Sequence, residues 1–162
     1  MEKKRPIIMM IDDDEDFLAI GRKALEMKYN LYPVSAGMQA LEILKKIIPD
    51  LILLDIEMPD MDGYTVLKLL KQESKTKDIP VIFLSSYADL GNEVDGLSKG
   101  AVDYITKPFS PILLIQRIET HLWIDAQRKE LVNKIKHLQD IIEMQSNEIQ
   151  KLQQPPSGAA LT

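Results

Sequence analysis

Five side chains in this sequence have types and positions that suit joint chemistry: Asp12, Asp13, Asp55, Ser85 and Lys107. Asp12 and Asp13 follow the apolar run 7–11, Asp55 follows 51–54, Ser85 closes 80–85, and Lys107 follows 101–106. Short apolar runs bounded by turn residues fit strands buried on both faces, as in parallel sheets covered by helices. The carboxyl ends of parallel strands share one edge, and open α/β sheets bind ligands there. Three carboxylates gathered on that edge raise one another's proton affinity and repel. Mg²⁺ relieves the repulsion with a few oxygen ligands and keeps its remaining positions for water or a phosphate. Lys107 adds a compact positive charge and Ser85 a hydroxyl. A carboxylate nucleophile, a metal, a lysine and a hydroxyl suit phosphoryl transfer onto Asp55, a reaction governed by positioning and charge neutralisation.

The elements that must position these groups are legible in the apolar periodicity. Strands are expected over 7–11, 31–35, 51–55, 80–85 and 101–106. Helical spacing follows Phe17. A second helix opens at Gly37 with Ala40, Leu41, Leu44 and Ile47 on one face, and a third runs from Tyr64 with Val66, Leu67, Leu69 and Leu70. The span 71–78 reads as a polar loop. A weaker helix, interrupted by Gly96, is expected over 89–98 and stops at Gly100. Asp14, Glu15 and Asp16 precede the first helix, where negative charge suits its amino end. Ser110 and Pro111 make a helix start. Five alternations of strand and helix predict an α/β fold, a parallel sheet with helices on both faces.

Between Pro111 and Pro155 there is no glycine or proline, so one helix can run that distance. The expected organisation is a globular domain over 1–122, a helical segment over 123–154 and a linker or disordered tail over 155–162. Leu131, Ile135, Leu138, Ile142, Gln145, Ile149 and Leu152 alternate four and three residues apart, a heptad seam with isoleucine at a and leucine at d. That combination favours a parallel two-stranded coiled coil, hence a homodimer. Ile141 at g widens the stripe and leaves an antiparallel or larger bundle open, as does a lone helix folded back on the domain. The chain of 162 residues has a formal net charge of −5, which gives no electrostatic footprint for nucleic acid. It has no cysteine, and its basic start is followed by too short an apolar run for a signal peptide or membrane span. A soluble cytoplasmic protein is expected.

Four motifs in order carry a family resemblance: Ile11-Asp12-Asp13; Asp55 with Met58-Pro59 and Asp62-Gly63; Ile79 to Ser85; and Gly100 to Phe109 through Lys107-Pro108. Residues 6 to 122 resemble the receiver domain of two-component response regulators. The resemblance implies the flavodoxin-like, doubly wound sheet of order 2-1-3-4-5, here with an extended C-terminal helix. It implies that a sensor histidine kinase or phosphotransfer protein donates a phosphoryl group to Asp55. Asp13, Asp55 and the Glu57 backbone carbonyl would ligate Mg²⁺, with Asp12 holding a metal-bound water. Lys107 would pair with the phosphoryl oxygens, Ser85 would move to hydrogen-bond them, and Tyr104 would swing inward. The Lys107-Pro108 bond would be cis.

The sequence departs from the pattern in places. Ser85 stands where threonine is commoner and Ser86 where alanine is usual. Glu57 and Tyr87 stand two residues beyond the acceptor and the switch hydroxyl, positions that by the resemblance would flank the route of an attacking water. His121 and His137 have no partnered ligands in the sequence and read as surface or seam residues. Two other functions compete with a phosphorylated receiver: an aspartate-nucleophile phosphohydrolase of the haloacid dehalogenase type, and a receiver-like scaffold without phosphorylation. No inserted cap is present to enclose a small substrate, and the acid, serine and lysine set is intact. The expectation is therefore not an enzyme but a phosphoacceptor, limited to self-phosphorylation and autodephosphorylation with Mg²⁺. Its output is either carried by the dimerising tail or lies in a longer regulator of which this is the front portion.

Overall fold

A computed structural model describes residues 4–86, 97 and 99–158. Tyr87 and the expected helix over 89–98, apart from Leu97, lie outside the described residues. The elements are β1 (Ile7–Ile11), α1 (Glu15–Leu25), β2 (Asn30–Val34), α2 (Gly37–Leu44), β3 (Leu51–Asp55), α3 (Gly63–Gln72), β4 (Val81–Ser85), β5 (Asp103–Thr106) and α4 (Pro111–Gln153). The five strands form one sheet in the order β2-β1-β3-β4-β5, all pairs parallel, as the resemblance implied.

Successive strand side chains point to opposite faces, so each central strand feeds two cores. Met9, Ile11, Ile52, Leu54, Val81 and Phe83 pack with residues of α2 and α3 on one face. Ile8, Met10, Leu51, Leu53, Ile82 and Leu84 pack with Leu18 and Leu25 of α1 and Leu114 and Ile118 of α4 on the other. Every residue of β3 and β4 is buried, which is why both read as unbroken apolar runs.

Several boundaries differ from the sequence expectation. α2 ends at Leu44, leaving Ile47 outside the helix in a turn closed by its N–H donating to the Ile43 carbonyl at 3.0 Å. Pro49 accounts for this, since proline disfavours helical geometry in the residue before it and cannot donate to the ladder. α3 runs into the expected loop as far as Gln72, and its end is held by the Thr76 hydroxyl donating to the Leu70 carbonyl at 2.8 Å. β5 starts at Asp103, although the Val102 N–H already donates to the Val81 carbonyl.

The helix starts explain the acidic turns. Asp14 caps α1 by accepting from the Asp16 N–H, and Asp62 caps α3 by accepting from the Thr65 N–H at 2.7 Å. α2 follows Ala36, which has no capping group. Asp60, from the loop after β3, accepts instead from the Gly37 and Met38 N–H groups at 3.3 and 3.0 Å. Those hydrogen bonds, the Met38 one foremost, hold its carboxyl below the ordinary aspartate value.

The chain divides into two compact units, Met1–Trp123 and Ile124–Thr162. The second consists of the remainder of α4 and the residues after it. Leu131, Ile135, Leu138, Ile142, Ile149 and Leu152 are each more than half exposed along it. Among the described residues, no helix is long and apolar enough to cross a membrane.

Candidate phosphoacceptor site

Two strand ends, those of β1 and β3, bring the three acids together. Asp12 leaves β1 with its N–H donating to the Val34 carbonyl, and its Oδ1 accepts from the Asp14 N–H at 3.0 Å. Asp55 closes β3. One carboxylate oxygen from each of Asp12, Asp13 and Asp55 lies within 4.8 Å of the others. Asp12 is fully buried, Asp55 is 6% exposed and Asp13 faces solvent. The Lys107 ammonium is 2.6 Å from Asp12 Oδ2 and 3.2 Å from Asp55 Oδ1.

The lysine is aimed by its backbone and by an aromatic floor. Its N–H donates to the Ser85 carbonyl at 2.7 Å, and the Lys107-Pro108 bond is cis, as expected. Its ammonium lies 4.3 Å from the centre of the Phe17 ring, which packs against Phe109. A cation over a ring face is attracted by the ring quadrupole. Phe17 read only as a helix core residue in the sequence, because its role depends on a lysine 90 positions away.

Gly63 shows why the Asp62-Gly63 pair matters. A Cβ at Gly63 would sit 2.4 Å from the Asp55 carbonyl oxygen and 2.9 Å from Ile56 Cα. Only glycine lets the start of α3 abut the backbone of the central aspartate, where the Gly63 N–H donates to the Ile56 carbonyl at 2.8 Å.

The charge balance of the site is poor. Burial pushes the Asp55 carboxyl up to about 7, the Asp12 charge adds to the rise, and Lys107 opposes it. Burial likewise raises Asp12 against the pull of Lys107. One lysine does not neutralise this much buried acid, and a divalent cation held at the open face would balance the rest. Glu57, Ser86 and Asp13 line the 360 Å³ cleft that leads to Asp55. Ser85 is fully buried, and its hydroxyl has no hydrogen-bond partner among the described residues. An unpaired buried hydroxyl is costly and marks a place where an acceptor is due.

Tyr104 is half-buried in β5, with its ring on Phe83. His121 differs from its expectation. Its Nε2 is 2.9 Å from Asp103 Oδ2, which also accepts from Arg117 at 2.9 Å, so it is a bonded residue of the β5–α4 face. Those residues line the larger hollow of 750 Å³, which lacks the acid cluster. His137 is exposed, as expected.

The doubly wound sheet with an acid cluster at its carboxyl edge defines a class of protein, and comparison gives the family. The family model described as response regulator receiver domain matches residues 8–119. A protein of Vibrio cholerae described as a probable cyclic di-GMP phosphodiesterase is 38% identical over 146 residues, 90% of this chain and 33% of that protein. A probable transcriptional regulator ycf27 of Porphyridium aerugineum is 39% identical over 123 residues, 75% of this chain and 49% of the other. Among solved structures, a response regulator from Chloroflexus aurantiacus superposes with a TM-score of 0.70 at 31% identity, covering 74% of this chain and 98% of that one. The chain belongs to the response regulator receiver domain family. It spans a third to a half of the length of these two curated relatives. Phosphorylation-dependent regulation is the general function of the family. Receiver domains bind Mg²⁺ at an acidic pocket and exchange phosphoryl groups with histidine kinases or phosphotransfer proteins.

Proposed function

We propose that Asp55 is the phosphoacceptor of a two-component response regulator, loaded by a histidine kinase or phosphotransfer protein. The observation that carries this is the meeting of three carboxylates with Lys107 at one strand edge. An Asp55 carboxylate oxygen attacks the phosphorus of the donor phosphohistidine. The new P–O bond forms as the P–N bond breaks, and the leaving imidazole takes up a proton. Lys107 shifts its charge from the carboxylates toward the phosphoryl oxygens. The unpartnered Ser85 hydroxyl donates to one of them, and Tyr104 follows it inward. Asp13, Asp55 and the Glu57 carbonyl are the groups to hold Mg²⁺, with Asp12 behind them. When bound there, the ion would neutralise charge on the transferred group.

The chain acts here as an acceptor and not as an enzyme turning over free phosphate esters. Intact-mass measurement with acetyl phosphate and Mg²⁺ tests this. Wild type gains one phosphoryl group, and Asp55→Asn does not. An Asp55→Asn chain phosphorylated at the wild-type rate overturns the assignment, and sustained turnover of free esters favours the phosphohydrolase.

The segment 123–154 pairs two chains in a parallel coiled coil through Leu131, Ile135, Leu138, Ile142, Ile149 and Leu152. Its support is the exposure of this whole seam on the single helix. The likeness to the Vibrio protein covers 146 residues, more than the Met1–Trp123 unit contains, and so supports a connector role for the helix. Sedimentation of the full chain against a version ending at Asp125 decides it, with two monomers at tens of micromolar ruling the dimer out.

A further inference from the structure

We infer that Tyr64 is a positioning residue for the Tyr104 switch, acting through its hydroxyl. The inference rests on the proposed inward movement of Tyr104 and deepens it. Tyr64 and Tyr104 are 40 positions apart in sequence, yet their hydroxyl oxygens are 3.4 Å apart. Both rings pack on the fully buried Phe83, with centroids 5.1 and 5.2 Å from it. The Lys99 ammonium lies 4.8 Å from the centre of the Tyr64 ring.

Tyr64 is also fastened at the other end. It directly follows Gly63, whose Cα abuts the Asp55 carbonyl so closely that no side chain fits. Two consecutive residues, Gly63 and Tyr64, therefore join the backbone of the acceptor aspartate to the hydroxyl of the switch tyrosine. The position held by this hydrogen bond is taken as the resting one, which the proposed inward movement of Tyr104 gives up. A bond of this length is weak, which suits a restraint that must release. It sets the population of the resting position without locking it. Nothing in the spacing of the two tyrosines revealed this, because α3 and β5 meet only across the sheet face.

Tyr64→Phe isolates the hydroxyl, since the ring, its contact with Phe83 and the Lys99 interaction all survive. The test uses the full chain, Mg²⁺ and beryllofluoride as a phosphoryl mimic. The readouts are the half-saturating beryllofluoride concentration and amide exchange at residues 103–106. Tyr64→Phe is expected to lower the half-saturating concentration roughly twofold to threefold, the shift a single weak hydrogen bond sustains. The thermal midpoint of the unliganded protein stays close to wild type. In a Tyr104→Phe background the same substitution has no further effect, because the partner hydroxyl is already gone. An equal shift in both backgrounds overturns the inference, as does no shift while the wild-type amide response is intact. If saturating beryllofluoride leaves exchange at 103–106 unchanged in wild type, the Tyr104 switch itself fails and takes the inference with it.

Discussion

The acidic strand edge and the helix beyond Trp123 handle charge in opposite ways. At the edge, Asp12, Asp13, Asp55 and Lys107 come from distant parts of the chain, and the acids outnumber the lysine in a buried place. Along the helix, three ion pairs are local. Arg128 and Lys129 hold Asp125, and Lys134 holds Glu130, each within one turn. Burial works against ionisation of Asp125, yet Lys129 and Arg128 outweigh it and keep that carboxyl below its ordinary value. The edge has unmatched charge and fully covered apolar groups, whereas the helix has matched charge and uncovered apolar groups. Unmatched buried charge suits a site that takes up a metal and a phosphoryl group. An uncovered seam suits pairing with a second helix.

The strongest way to break this contrast is to put charge into the seam. Ile142→Asp is expected to convert the proposed dimer to a monomer at tens of micromolar in sedimentation, a cost of about 3 kcal/mol or more. Phosphoryl uptake from acetyl phosphate should stay within about twofold of wild type, since small-molecule loading needs only the receiver's own groups. A parallel loss of uptake would show that the two regions are not separable.

Gly63→Ala attacks the edge through its backbone. The added Cβ meets the Asp55 carbonyl oxygen and Ile56 Cα, neither of which can move freely. The expected loss is about 1–3 kcal/mol in denaturant unfolding. Sedimentation should match that of the wild-type chain, since the proposed seam is untouched.

Asp55→Asn should act in the other direction on stability. The raised Asp55 value means that the fold disfavours its charged form, so a neutral amide relieves the edge. A gain on the order of 1 kcal/mol is expected without Mg²⁺ at neutral pH. The gain should shrink when Mg²⁺ is added, because the cation does the same for wild type. A loss of stability without Mg²⁺ would mean that Lys107 already balances the acids.

Asp60→Ala tests the tie between the acceptor loop and α2, at about 1 kcal/mol. The folded value of Asp60 is lowered from its reference of 3.8. Its contribution is therefore fully present above that reference and is lost as pH falls through the folded value. The difference between wild type and Asp60→Ala should be constant from neutral pH to about 5 and fade in stronger acid. The smallest effect is expected from Glu130→Gln. Its pair with Lys134 is solvent-exposed and screened, so the thermal midpoint should stay at the wild-type value.

The apolar runs were legible because β3 and β4 are buried on both faces, which leaves no room for polar alternation. The same logic placed Asp12, Asp55, Ser85 and Lys107 at strand ends on a shared edge. Helix ends were less legible. The stop of α2 at Leu44 and the extension of α3 to Gln72 depend on which local hydrogen bonds win, and several solutions have similar energy.

What the sequence determined by itself is what local chemistry and periodicity encode: strands from apolar runs, helices from their spacing, acids at strand ends and a heptad seam. Tertiary structure alone decided the contacts between residues far apart in the chain. Phe17 became the floor for Lys107, Asp60 the cap of α2, and His121 a partner of Asp103. Tyr64 met Tyr104 for the same reason. Each side chain has an unremarkable local setting, and its partner is fixed by which helix crosses which strand. Periodicity says which face of an element is buried, but the identity of the neighbour on that face exists only once the sheet has closed.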